Sequence, residues 1–393
     1  MREGRSLRGR TDAAPTGRAL AFDRDPLRSA TLPARWYFDP AVFAREREAI
    51  FFASWQFVGL ADEVARNGDF VAATILDQPV FVIRGADGRL RAFYNACPHR
   101  GHTLVEGSGQ RRSITCPFHA WTFALDGRLK AAGNAGNIAG FRLEDYALRE
   151  IHVTEFARLV FVNLSPSAAP LGAIAGDLEA DIRAKIPAFD RLKFFRRDPF
   201  DIGANWKFVF DGLECYHCPH IHPDIMGRDD SPFELSFEFF EARWWSRHVA
   251  RGNRDVTRNK PENLPYAFAA DDAIQDVFVW YLWPNVMLAA HQGPPNFQIR
   301  HVMPLSAERS LQHIWNLAVN DPPSATDVAN ADYLRDVLDP QDIAAMERQQ
   351  RGVRCRGYTR GRLMCDPQQS WRSEHGTHHF QRLVWQALAG SDR

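Results

Sequence analysis

Apolar and polar positions change their pattern several times along this chain. The stretch "DPAVFAREREAIFFASW" (39–55) reads as a helix with Asp39 as N-cap and Pro40 at the first helical position, where a missing N–H costs nothing. From about Gly59 to Leu164 the apolar residues come in short β-type runs such as "PVFVI", "LRAFY" and "RLVFVNL". Asp87-Gly88 and Asp126-Gly127 punctuate these runs, and both are hairpin signals. The Ser/Pro/Ala-rich "SPSAAPLGA" then marks a boundary. Helical patterns follow in "PLGAIAGDLEADIRAKI" and "NWKFVFDGLECYH", then long strand-like runs ("FELSFEFFEARWWSRHV", "DVFVWYLWPNVMLAA", "FQIRHVMPL", "SLQHIWNLAV"), then helices over 325–351 and 373–389. Strands grouped between helices predict an α+β domain, an antiparallel sheet wrapped by helices.

The expected organisation is a disordered arm over 1–35, an N-terminal helical segment over 36–58 packing on the larger domain, a small all-β domain over 59–165, and the larger α+β domain over 166–393. A length of 393 residues leaves room for two domains with real cores. Lys plus Arg equals Asp plus Glu at 48 each, so no global field draws the chain to nucleic acid or an anionic membrane, and recognition has to be local. No apolar run approaches the ~20 residues of a membrane span, and the start has no hydrophobic core for a secretory signal, which makes the cytoplasm the default location. The Arg-rich start has some likeness to a transit peptide, but Glu3 and Asp12 count against it, and it reads as a mobile arm. Of six Cys, four lie beside His, which points to metal ligation in a reducing compartment rather than a disulfide framework.

The first cluster is Cys97-Pro98-His99, then sixteen residues, then Cys116-Pro117-Phe118-His119. Zinc also accepts two Cys and two His, but a zinc finger places its Cys pair first and its His pair second, whereas here each loop offers one of each. Two matching loops suit a two-iron cluster in which one iron takes both thiolates and the other both imidazoles. That is the Rieske [2Fe–2S] arrangement, an electron relay whose neutral imidazoles raise its potential. With Pro98, Pro117 and Gly101 in tight loops, the stretch resembles the Rieske protein family. His102 and His152 fall outside the pattern.

The second cluster lies in "NWKFVFDGLECYHCPHIHPDIM", where Glu214, His217 and His222 are spaced Glu-x-x-His-x-x-x-x-His. On a helix Glu214 and His217 share a face, and Pro219 and Pro223 predict a break before His222. The rival is Cys215-x-x-Cys218 as a redox or zinc pair, but no second CxxC completes a zinc site. Two His plus a carboxylate from elsewhere is the ligand set of non-haem Fe(II) oxygenases.

Taken together, the two clusters resemble the oxygenase (alpha) subunit of Rieske non-haem iron oxygenases over roughly residues 40 to 390. The resemblance implies a small Rieske domain ahead of a catalytic domain, with Cys97, His99, Cys116 and His119 on the cluster and His217 and His222 on a mononuclear Fe(II). It implies a third iron ligand in "LDPQDIAAMERQQRGV", where counting back from Gln350-Arg351-Gly352 selects Asp342 over Asp339, the better N-cap. It further implies that Glu214 bridges His217 to a Rieske histidine, His119, of the neighbouring subunit in a head-to-tail homotrimer. Asp211-Gly212 departs from the Glu-Asn common in the family.

The activity implied is O₂-dependent hydroxylation or oxidative demethylation of a small molecule. A separate NAD(P)H-dependent reductase, alone or through a ferredoxin, would supply the electrons, since the chain shows no Gly-rich dinucleotide fingerprint. "ECYHCP" and the ending "SEHGTHHFQRLV" resemble the branch acting on quaternary amines such as glycine betaine and carnitine. Trp244, Trp245, Trp280, Tyr281 and Trp283 offer cation–π contacts to such a head group, or else form sheet core. Aromatic substrates are the alternative class, and a Rieske electron carrier or a zinc-stabilised interaction protein are the non-enzyme alternatives.

Overall fold

The computed structural model describes residues 21–223, 233–252, 266, 269 and 271–389, the side chains of 233–237 apart. Asp39 caps α1 (Pro40–Glu46), its carboxylate accepting the Ala41 N–H at 2.9 Å, and the helix runs on into a π-helical turn over Arg47–Phe51. This segment buries Val42, Ile50 and Phe51 against Trp206 and Phe380 of the larger domain. The expected disordered arm needs correcting. Residues 1–20 lie outside the described residues, but 21–35 are packed: Leu32 is buried and its N–H donates to Gln381 Oε1 at 2.9 Å, and Phe22 stacks on His378 and Trp385. Apolar side chains bind this stretch to the last helix.

The all-β unit is a seven-stranded antiparallel sheet with a three-stranded flap. Its strands are β1 (Gln56–Leu60), β2 (Asp69–Ile75), β3 (Gln78–Arg84), β4 (Leu90–Tyr94), β5 (Ser108–Gln110), β9 (Glu150–Phe156) and β10 (Leu159–Asn163), in the order β1-β10-β9-β4-β3-β2-β5. The flap is β6 (Ile114–Thr115), β7 (Thr122–Phe123) and β8 (Leu129–Ala131). Asp87-Gly88 lies in the β3–β4 turn and Asp126-Gly127 in the β7–β8 turn, with both glycines at positive φ. The sheet starts at Gln56, a little earlier than the pattern suggested, because β1 pairs with β10.

The predicted helix after the linker is two, α2 (Leu171–Ala175) and α3 (Leu178–Lys185), broken at Gly176 with φ 56°. The second sheet is also seven-stranded and antiparallel, ordered β11-β17-β16-β15-β14-β13-β12. Its strands are β11 (Lys193–Ile202), β12 (Phe233–Glu241), β13 (Trp245–Gly252), β14 (Val277–Leu282), β15 (Val286–Ala290), β16 (Asn296–Ser306) and β17 (Arg309–Ala318). Successive side chains alternate between its faces. Trp245, Trp280, Phe297, Ile299 and Trp315 pack on one side with β1, β10, α2 and α3. The other side meets α4 (Lys207–Asp211), α6 (Ala325–Tyr333), α7 (Asp339–Gly352) and α8 (His375–Ala389) around a cavity. Among the described residues no helix is long and apolar enough to cross a membrane.

Candidate metal centres

Two loops at one end of the all-β unit have the same build. The carbonyl of Cys97 accepts the N–H of Gly101 at 2.8 Å and the Cys97 N–H donates to His102 O at 2.9 Å. Cys116 repeats both bonds with Ala120 and Trp121, at 3.0 and 2.8 Å. Gly101 and Ala120 both take positive φ, 74° and 56°, so each chain turns back on itself at the same point. The result buries both thiols and leaves both imidazoles at the surface, with the His99 and His119 rings 4.7 Å apart between centroids and His99 stacked on Trp121. Burial pushes the Cys97 thiol up, and Cys116 beside it adds to this. Two inner thiols and two outer imidazoles fit the donor set of a Rieske cluster.

The second cluster forms where the expected helix is absent. After α4 the chain bends through 214–217, and α5 (Cys218–Ile221) begins only with Pro219 in its first turn. Glu214 and His217 come together another way: Glu214 Oε2 accepts the N–H groups of Tyr216 and His217, and Oε1 takes His217 Nδ1 at 2.6 Å. The carboxylate collects donors that a continuous helix would have given to carbonyls. Cys218 N–H closes a turn onto Cys215 O, and both residues line the cavity beside His217.

His222, at the end of α5, presents Nε2 to Asp342 Oδ1 at 3.0 Å, and His217 Nε2 lies 3.8 Å from the same oxygen. One ligand atom from each of these three residues lies within 4.8 Å of the others, the spacing of donors around one ion. Gln341, which the sequence reading passed over, takes His222 Nδ1 at 2.7 Å. Its only signal was adjacency to Asp342. Burial disfavours charge on both rings, yet Cys218 and Glu214 raise His217, and Asp342 raises His222.

Asp339 is not a helix cap. It is buried and pairs with Arg300 Nη1 at 2.5 Å, because α7 continues from a π-helical turn and leaves no N-cap position there. Burial pushes its carboxyl up, against the pull of Arg300.

Behind the centre, α8 grips the chain leading to Glu214. Thr377 Oγ1 donates to Asp211 O at 2.7 Å, and Gln381 and the Tyr37 hydroxyl donate to the Asp211 carboxylate at 2.8 and 2.6 Å. Gly376 allows this approach, since a Cβ there would meet Leu213 O at 2.0 Å.

The metal-facing side of His217 opens on a cavity of about 220 Å³, walled by apolar residues such as Val279, Met287, Ala289 and Met346. None of Trp244, Trp245, Trp280, Tyr281 and Trp283 lines it. Trp245 and Trp280 sit on the opposite face of the sheet, and the other three pack in the core shared with α4 and α8. Among the described residues, Tyr266 and Tyr333 are the phenol rings that line it.

The chain matches the Rieske [2Fe–2S] domain over residues 54–142 and the ring hydroxylating alpha subunit (catalytic domain) over 189–390. A carnitine monooxygenase oxygenase subunit of Escherichia coli (strain K12) is 34% identical over 371 residues, 93% of this chain and 96% of that protein. The chloroplastic choline monooxygenase of Spinacia oleracea is 26% identical, covering 91% and 78%. The crystal structure of the quaternary ammonium Rieske monooxygenase CntA in complex with L-carnitine superimposes with a TM-score of 0.80 at 32% identity, over 93% of this chain and 97% of that one.

Proposed function

The chain belongs to the Rieske non-haem iron oxygenases, in the ring-hydroxylating alpha-subunit family, and from that premise we propose that it hydroxylates or oxidatively demethylates a quaternary amine. As a member it is an oxidoreductase that uses a Rieske cluster and a mononuclear iron, acts on a small molecule and takes electrons from a reductase. The observation that carries the substrate class is the largely apolar cavity beside His217, His222 and Asp342 in a chain so similar to a carnitine oxygenase.

Cys97, His99, Cys116 and His119 would hold the cluster, and His217, His222 and Asp342 the mononuclear iron. When bound, these groups supply one-electron transfer and reductive activation of O₂, and the balanced reaction consumes one O₂ and one NAD(P)H per hydroxylated product, with the second oxygen leaving as water. The protein's own part is positioning. Glu214 and Gln341 accept the Nδ1–H groups of His217 and His222, which leaves both Nε2 lone pairs free for metal. The apolar walls line the space beside the metal ligands, and burial keeps His248 neutral, its pKa lowered to about 3.

Glu214 would also reach a partner subunit's cluster histidine in a homotrimer, as the family resemblance implies. A reductase that passes electrons straight to the cluster dispenses with a ferredoxin, and with six free thiols a cytoplasmic setting fits. The test is metal content followed by turnover with a surrogate reductase. Iron in excess of the cluster's two, with NADH and O₂ uptake coupled to product from quaternary amines, is expected. Cluster iron alone without O₂ uptake returns the chain to an electron carrier, and zinc in its place overturns both.

A further inference from the structure

Arg300 stands out among the cavity residues because its charge is compensated without being covered. Its Nη1 meets only one oxygen of Asp339, and Nη2 reaches Gln298 Oε1 at 3.3 Å. A guanidinium has five N–H donors, so three have no partner among the described residues. The side chain keeps 11% exposure and lines the cavity. Asp339 Oδ2 is buried with no hydrogen-bond partner, so the pair is a one-point contact rather than a closed fork. Gln298 is itself held by Asn316, and Asn316 by Asp198, so the guanidinium has a fixed backing.

The charge balance of the cavity points the same way. Among the described residues, Glu214, Asp339 and Asp342 contribute negative charge and Arg300 positive charge. The family's iron(II) brings the sum to zero. His248 and His291 add nothing, since burial holds both neutral. In a cavity walled largely by apolar side chains a guest with net charge leaves that charge poorly balanced, whereas a net-neutral guest does not.

We propose that Arg300 is the carboxylate-binding residue of this site and that the substrate is therefore a zwitterion, a trimethylammonium carboxylate, rather than a quaternary ammonium alcohol. The inference rests on the quaternary-amine reading above and narrows it. A substrate carboxylate takes the open donors of Arg300, and the ammonium end lies toward the carboxylates of the metal centre. Asp339 is a positioning residue that holds the guanidinium in place.

The test is calorimetric binding to the iron-loaded protein under anaerobic conditions, with γ-butyrobetaine, L-carnitine and choline as probes. Wild type should bind at least one of the two zwitterions about tenfold or more tighter than choline. Arg300→Lys keeps the charge but loses the fork, and should weaken the zwitterions about tenfold while moving choline less than about threefold. The double variant Arg300→Gln/Asp339→Asn removes both charges together, which spares the fold an unpaired buried ion, and should erase the preference. Choline binding as tightly as the zwitterions in wild type overturns the inference and leaves the quaternary-amine reading standing. Equal weakening of all three probes in both variants makes Arg300 a packing residue and also overturns it. If no probe binds wild type, this inference and the quaternary-amine reading fall together.

Discussion

Gln341 Oε1 sits 2.7 Å from Nδ1 of His222, while the next residue along α7, Asp342, places Oδ1 3.0 Å from Nε2 of the same ring. Consecutive residues of one helix thus grip both nitrogens of one imidazole. The amide oxygen accepts a proton only from the tautomer that leaves Nε2 free for metal. Gln341→Ala should lower mononuclear iron affinity by about tenfold or more and leave the Rieske absorbance unchanged. Metal titration of the apoprotein checks it; unchanged affinity would mean that Asp342 orients the ring alone.

Asp342 and Asp339 should fail in different ways. Asp342→Ala removes a proposed ligand that is partly exposed to the cavity, so iron and turnover should be lost with little change in melting temperature. Asp339→Ala strands Arg300, of which 11% is exposed, and should cost about 3 kcal/mol or more of stability. Iron analysis and thermal melting of both variants decide the matter. Iron loss confined to Asp339→Ala would shift the ligand register.

How much of this was legible beforehand depended on distance along the chain. The cluster motifs are local, and a loop that turns back at Gly101 or Ala120 needs no information from elsewhere. The helix expected over 214–217 failed because Glu214 has a side chain able to take the N–H groups of Tyr216 and His217, a competition that apolar spacing does not record. Of the two roles open to the central aromatics, head-group contact or sheet core, the structure gives core: strand parity turns Trp245 and Trp280 away from the cavity that Val279 lines, while Trp244, Tyr281 and Trp283 pack in the core with α4 and α8. Asp339 looked like a cap because its partner, Arg300, comes from a strand that no local window contains.

Replacing His99 or His119 should abolish the Rieske absorbance and activity together, because a missing imidazole opens one iron of the proposed cluster. Cys97 and Cys116 stay buried in either variant, so the fold should persist by circular dichroism. A variant with native absorbance and reduction potential would sink the assignment.

Glu214→Gln probes electron transfer. The wild-type carboxylate accepts from His217 Nδ1 with one oxygen and from the backbone with the other, and an amide cannot accept on both sides. Both metals should be largely retained, but reoxidation of the pre-reduced cluster by O₂ and substrate should slow sharply in a single-turnover experiment. Normal reoxidation would show that electrons take another route.

Asp211 ties this loop to α8, and its titration makes the clamp sensitive to pH. Burial raises its carboxyl from 3.8 to about 6, even though Tyr37, Gln381 and Lys207 all favour the charged form. The sign is opposite to that of a salt-bridged acid. Between these two values the folded protein keeps a proton that the unfolded chain has lost, so stability falls as pH rises through the window and levels off above it. The shift corresponds to roughly 3 kcal/mol. Asp211→Asn cannot ionise and keeps an acceptor for Gln381 or Tyr37, so it should escape that decline. Denaturant unfolding of both proteins across pH 4 to 7 should show the stability of wild type relative to Asp211→Asn dropping by an amount of that order, with most of the change below about pH 6. A difference that stays flat over the whole range would mean that Asp211 is ionised throughout and that the hydrogen bonds from Tyr37 and Gln381 outweigh its burial.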